Sequence, residues 1–134
     1  LFTPTDYFGA KELPDEDYPL TLTTGRVLYH FHTRTMTDKN EEINEIVPVN
    51  FIEINQRTAD IYNVSNMQEV LVKSRRGETT AEVHITEKIG DYVVFMPFHF
   101  ANGANVLTNT ELDPTCDIPE LKVASCQIVE KITS

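Results

Sequence analysis

Leu20-Thr21-Leu22-Thr23-Thr24-Gly25-Arg26-Val27-Leu28-Tyr29-His30-Phe31-His32-Thr33 is the stretch on which the reading of this chain turns. Leu20 and Leu22 alternate with Thr21 and Thr23, the period-2 pattern of a half-buried strand, and a first strand is expected over residues 19–24. Gly25 breaks the pattern with a residue that admits unusual backbone angles and close approach of a ligand to the main chain. Arg26 follows, a planar cation suited to bidentate contact with phosphate. Tyr29, His30, His32, Thr33, Arg34 and Thr35 then carry hydrogen-bonding groups with no core periodicity. Burying so many of them is costly without a polar partner, so residues 25–37 read as a ligand loop.

Outward from this stretch, the remaining elements are short. Asp38 or Asn40 can cap a helix that places Ile43, Ile46 and Val47 on one face and ends at Pro48. Phe51-Ile52-Glu53-Ile54 reads as a second strand, and Asn55 as the cap of a helix from Gln56 to Tyr62 with a left-handed stop at Asn63. Val70–Lys73 and Thr79–Ile85 flank Ser74-Arg75-Arg76-Gly77-Glu78 as a hairpin. Tyr92–Met96 reads as a buried strand stopped by Pro97, and Val123–Ile132 as the closing strand. Short strands, two short helices and long polar loops suggest a small closed barrel with crossovers, a β-sandwich being the alternative.

With 134 residues, the chain is expected to form one core. Residues 1–18 contain Pro4, Gly9, Pro14 and Pro19 at their edge and read as a linker. It is expected to drape on a neighbouring domain through Phe2, Tyr7 and Phe8, so that 19–134 is the domain proper and the whole is a piece of a larger chain. No stretch approaches a membrane span or a targeting signal, and a cytoplasmic setting is expected. Twenty-one acidic against 11 basic residues give a formal charge of −10, which disfavours nucleic acid as a partner. Arg26, Arg34, Arg75, Arg76 and Lys122 nevertheless offer a local cationic site.

Chemistry of other kinds is poorly supported. Cys116 and Cys126 stand ten apart without zinc spacing and read as buried free thiols. His30 and His32 would share one face of an extended segment, but no third ligand stands at diagnostic spacing. No nucleophile elbow, phosphate-binding P-loop or dinucleotide glycine motif is present, so neither catalytic residues nor metal ligands are assigned. Arg75-Arg76-Gly77 reads as a solvated hairpin tip or as a phosphate patch. Asn102-Gly103-Ala104-Asn105 suits either a tight turn or a loop that reads heterocycle edges.

Taken in order, these motifs resemble one family. Tyr18-Pro19-Leu20, Thr23-Thr24-Gly25-Arg26, His30 to Thr37, Phe51–Asn55 with Thr58-Ala59, and Val70–Gly77 come first. Val94–His99, Asn105-Val106-Leu107-Thr108, Asp113-Pro114 and Pro119-Glu120-Leu121-Lys122 follow. Together they resemble the C-terminal molybdopterin-dinucleotide-binding domain of molybdenum and tungsten oxidoreductases, over about residues 18–132. The resemblance implies a double-psi β-barrel. It also implies a bis-molybdopterin guanine dinucleotide cofactor with Mo or W, bound between this domain and the rest of the parent chain. Cofactor contacts implied in this way are Gly25, Arg26, Val27, His30, His32, Thr33, Phe98, His99, Asn105 and Lys122. Arg26 and Lys122 would hold diphosphate charge, and His30, His32, Thr33 and Asn105 would read pterin or guanine edges.

Within the family, Thr24–Thr33 is similar to formate dehydrogenase alpha subunits, although Leu121 stands where an aromatic is common. That subfamily implies oxidation of formate to CO2, iron–sulfur clusters elsewhere in the parent chain, an electron-transfer subunit, and no activity of this segment alone. Another member such as a nitrate reductase, and a stand-alone barrel subunit or protein-interaction module, are the other readings.

Overall fold

A computed structural model describes residues 2–4, 6–7, 9–26, 50–98, 103–108 and 122–130. Six strands are built as the alternation requires: β1 (Leu20–Gly25), β2 (Phe51–Ile54), β3 (Glu69–Lys73), β4 (Glu78–Ile85), β5 (Val93–Pro97) and β6 (Ala124–Glu130). In β1 the leucines and Thr24 are buried while Thr21, Thr23 and Gly25 are half-buried, the period-2 burial read from the sequence.

The strands close into a barrel in the order β1-β5-β2-β4-β3-β6. Closure leaves no open edge among the six described strands. The β3–β4 and β3–β6 contacts are antiparallel, whereas β1–β5 and β2–β4 are parallel and therefore need crossovers. This closed, mainly β barrel with crossover pairs is the architecture that the resemblance implied. Inside it Leu20, Leu22, Ile52, Ile54, Val70, Val72, Val83, Val94 and Met96 are fully buried, each removing enough apolar surface from water to contribute about 1.5–3 kcal/mol.

A helix, α1 (Gln56–Tyr62), connects β2 to β3. Its boundaries are set locally. The Asn55 side chain accepts the Thr58 N–H, and Asn63 takes φ 51° and donates its N–H to the last turn. Asn55 also donates to Asp91 at 2.6 Å, and Arg57 pairs with the other oxygen of that carboxylate at 2.7 Å. The helix expected between Asp38 and Val47 lies outside the described residues.

Strand directions place several chain segments at one end of the barrel. The carboxyl ends of β1 and β5 meet there because the two strands are parallel, with Gly25 opposite Pro97. The amino end of β6 joins them, Leu22 standing opposite Ala124. The β3–β4 hairpin tip is at the same end, since Lys73 stands opposite both Gln127 of β6 and Glu78 of β4. A 3-10 turn, Ala104–Val106, packs against that tip.

Candidate functional site

Five of the ten residues implied as cofactor contacts are described, and the barrel brings all five to this end. Phe98 is the centre. Its N–H donates to the Gly25 carbonyl at 3.2 Å, continuing the β1–β5 ladder by one residue. Its own carbonyl accepts from Asn105 Nδ2 at 3.1 Å. The Arg26 guanidinium carbon stands 6.0 Å from the centroid of its ring and Lys122 Nζ stands 5.8 Å from it, so two cations stand near one aromatic ring. Lys122 Nζ also donates to the Thr24 carbonyl at 2.9 Å. An ammonium has three N–H donors, so this bond anchors the lysine while leaving capacity for an anion. Val27, His30, His32, Thr33 and His99 lie outside the described residues.

Two of these residues also have a structural role within the barrel. Gly25 has no positive φ among the described residues, so it is not there for backbone freedom. It is there because a Cβ would stand 2.6 Å from Cε2 of Phe95, whose ring fills the space. Asn105 sits within the 3-10 turn, and its amide fastens the neighbouring Phe98 segment.

Arg75 and Arg76 are not a solvated tip. Arg76 forms a two-pronged pair with Glu12, Nη2 reaching Oε1 at 2.9 Å and Nη1 bonding Oε2. Its Nε and Nη2 donate to the Leu107 carbonyl at 3.1 and 2.8 Å. Glu12 Oε1 also accepts from the backbone N–H and the hydroxyl of buried Ser125, each at 2.6 Å. These bonds, led by the Arg76 guanidinium, hold the Glu12 carboxyl down at about 2 against a desolvation cost that pushes it up. Arg75 bonds Asp15 and the Ser125 hydroxyl, and its guanidinium lies 4.8 Å from the centroid of the Tyr18 ring. The stretch 12–18 is thus strapped to the barrel, while Phe2 and Tyr7 are fully exposed. No local pattern announces Glu12; its partner is 64 residues away.

Of the five cations that composition offered, Arg34 lies outside the described residues and the other four stand at this end of the barrel. Arg75 and Arg76 are matched by acidic residues of the chain itself, and Arg26 and Lys122 stand near Phe98. Among the described residues no three His, Cys, Asp or Glu side chains gather as a metal site, and no helix is long and apolar enough to cross a membrane. Cys126 is buried in the core, and burial pushes its thiol up to about 12.

Fold and site together define a closed β-barrel that presents two cations and an aromatic face at one end. Comparison with known proteins adds the family. The model of the Molydopterin dinucleotide binding domain matches residues 20–125, and the chain belongs to that family. The chain is 52% identical over 126 residues to the F420-dependent formate dehydrogenase subunit alpha of Methanocaldococcus jannaschii, covering 93% of this chain and 19% of that protein. It is 46% identical over 128 residues to the F420-dependent formate dehydrogenase 1 subunit alpha of Methanococcus maripaludis, covering 95% and 19%. The assimilatory nitrate reductase catalytic subunit of Bacillus subtilis is more distant, at 39% over 121 residues, covering 89% and 17%. The chain thus spans about a fifth of the length of the curated relatives it matches. Acetylene hydratase from Pelobacter acetylenicus shares the fold at a TM-score of 0.76 and 13% identity, over 92% of this chain and 21% of that one.

Proposed function

We propose that this barrel binds the guanine dinucleotide form of molybdopterin, in two copies around Mo or W, as the C-terminal domain of a formate dehydrogenase. The observation that supports the reading is the placement of Arg26 and Lys122 around the Phe98 ring, 6.0 and 5.8 Å from its centroid, at the end of parallel strands β1 and β5. This donor set fits such a group. A diphosphate takes cations, and a flat heterocycle takes an aromatic or amide neighbour. Identity of 52% and 46% to two formate dehydrogenase alpha subunits, against 39% to a nitrate reductase, favours formate as the substrate of the parent protein. Both of these relatives carry the name F420-dependent, which supports an F420-dependent reaction for the parent protein.

The metal-bearing pterin supplies the two-electron redox chemistry when bound. The residues of this chain bind and orient. Lys122, anchored on the Thr24 carbonyl, and Arg26 neutralise diphosphate charge. Asn105 holds the Phe98 backbone in place, and by the resemblance His30, His32, Thr33, Val27 and His99, which lie outside the described residues, would complete the contacts. Residues 1–18 lead from the preceding domains, which hold the iron–sulfur clusters, in a cytoplasmic enzyme; the segment alone has no turnover.

Titration with GDP tests the binding reading. The amide signals of residues 25–26, 98 and 105–108 should shift, and Lys122→Ala should weaken binding by about tenfold, the cost of one charge-assisted hydrogen bond. Absence of any shift at high GDP concentration in the full-length apoprotein would sink it.

A further inference from the structure

Arg76 reaches the candidate site without touching its cations. The 3-10 turn it contacts is short and has no side-chain cap: Gly103, its N-cap residue, makes no such bond. Its own backbone bonds are few, the Leu107 and Thr108 N–H groups sharing the Ala104 carbonyl at 3.0 and 3.2 Å, and 3-10 hydrogen-bond geometry is poorer than that of an α-helix. Arg76 supplies two N–H donors to the Leu107 carbonyl at its exit. Gly77, next along, lies so close that a Cβ there would stand 2.9 Å from the Val106 oxygen. From the turn, Asn105 holds the carbonyl of Phe98, the ring near which Arg26 and Lys122 stand. In the other direction Arg76 is gripped by Glu12, itself fixed by Ser125. Nε, Nη1 and Nη2 of Arg76 all donate within the chain, so this arginine is not arranged to take up a phosphate.

We infer that Arg76, clamped by Glu12, is a positioning residue for nucleotide binding: it sets the 103–108 turn, and through Asn105 the Phe98 backbone, in the geometry the ligand needs. The inference rests on the nucleotide reading above. Contiguous hydrogen-bonded side chains and a packed turn are the physical means by which such an effect travels. Arginine is required because a lysine at 76 keeps the charge but cannot reach a carboxylate and a carbonyl with one planar fork.

Glu12→Gln separates positioning from simple electrostatics. Loss of a negative charge at a cationic end would by itself tighten GDP; a loosened clamp weakens it. In the full-length apoprotein, Glu12→Gln and Arg76→Ala should each weaken GDP by about two- to thirtyfold, with Arg76→Lys intermediate. Arg76→Ala combined with Asn105→Ala should weaken it by less than the product of the two single effects. Lys122→Ala is the control. If it weakens GDP while folded Glu12→Gln binds as well as or better than the parent, the positioning role is overturned and the nucleotide reading stands. If the unaltered apoprotein does not bind GDP, both readings fall together. Should Arg76→Ala fail to fold, the near-isosteric Glu12→Gln still decides between the two directions of change.

Discussion

The ring of Phe95 occupies the place where Gly25 would carry a side chain, with 2.6 Å between an added Cβ and Cε2. Two residues on neighbouring parallel strands thus share one volume, and the cationic end of the barrel begins at the next residue, Arg26.

Gly25→Ala should therefore destabilise the fold by about 1–3 kcal/mol, the usual cost of overpacking. Combining it with Phe95→Leu should recover part of the loss, because the smaller side chain vacates the space. Urea denaturation of the single and double variants checks this. A neutral Gly25→Ala would mean that the ring swings aside without cost.

The Glu12 clamp makes stability depend on acid. The folded carboxyl titrates at about 2, below its ordinary value of 4.5, so its stabilisation is present above pH 4.5 and lost as pH falls through about 2. Discounted for solvent screening around the partly exposed Arg75, the effect is about 1–2 kcal/mol. Glu12→Gln should lower stability at pH 7 and flatten its fall between pH 4.5 and 2. Equilibrium denaturation across that range checks both. Identical pH slopes for the two proteins would refute the clamp.

Asn55→Ala should cost about 0.5–2 kcal/mol through loss of the helix cap to Thr58. The same change removes the bond to Asp91, leaving Arg57 as the partner of that carboxylate. Asn55→Asp should preserve the cap but place two carboxylates together, so it should fall between parent and alanine variant. Thermal melts order the three.

Cys126 should resist alkylation in the folded protein at pH 8, since the thiolate is the reactive form and burial pushes this thiol up to about 12. Mass spectrometry after brief iodoacetamide treatment should find it unmodified until denaturant is added. Prompt native labelling at Cys126 would contradict its placement in the core.

Much of the barrel was legible in the residues. Alternation in Leu20–Gly25, the Asn55 cap, the Asn63 stop and the hairpin around Ser74–Gly77 all depend on contacts within a few positions. Such signals report local geometry, and local geometry is what the sequence by itself determined here, together with the ordered motifs that carry the family. Strand order could not be read in that way, because β1 pairs with β5 and β2 with β4 across long crossovers. Nor could the site's support. Lys122 finds the Thr24 carbonyl 98 residues away, and Glu12 finds Ser125 at a separation of 113. Only closure of the barrel brings these groups within hydrogen-bonding range. It is also closure that decides which arginines are matched inside the chain and which cations stand near Phe98. A charge on a linker and a charge on a hairpin tip look solvated one at a time, and become a clamp when the β-barrel sets them at the same end.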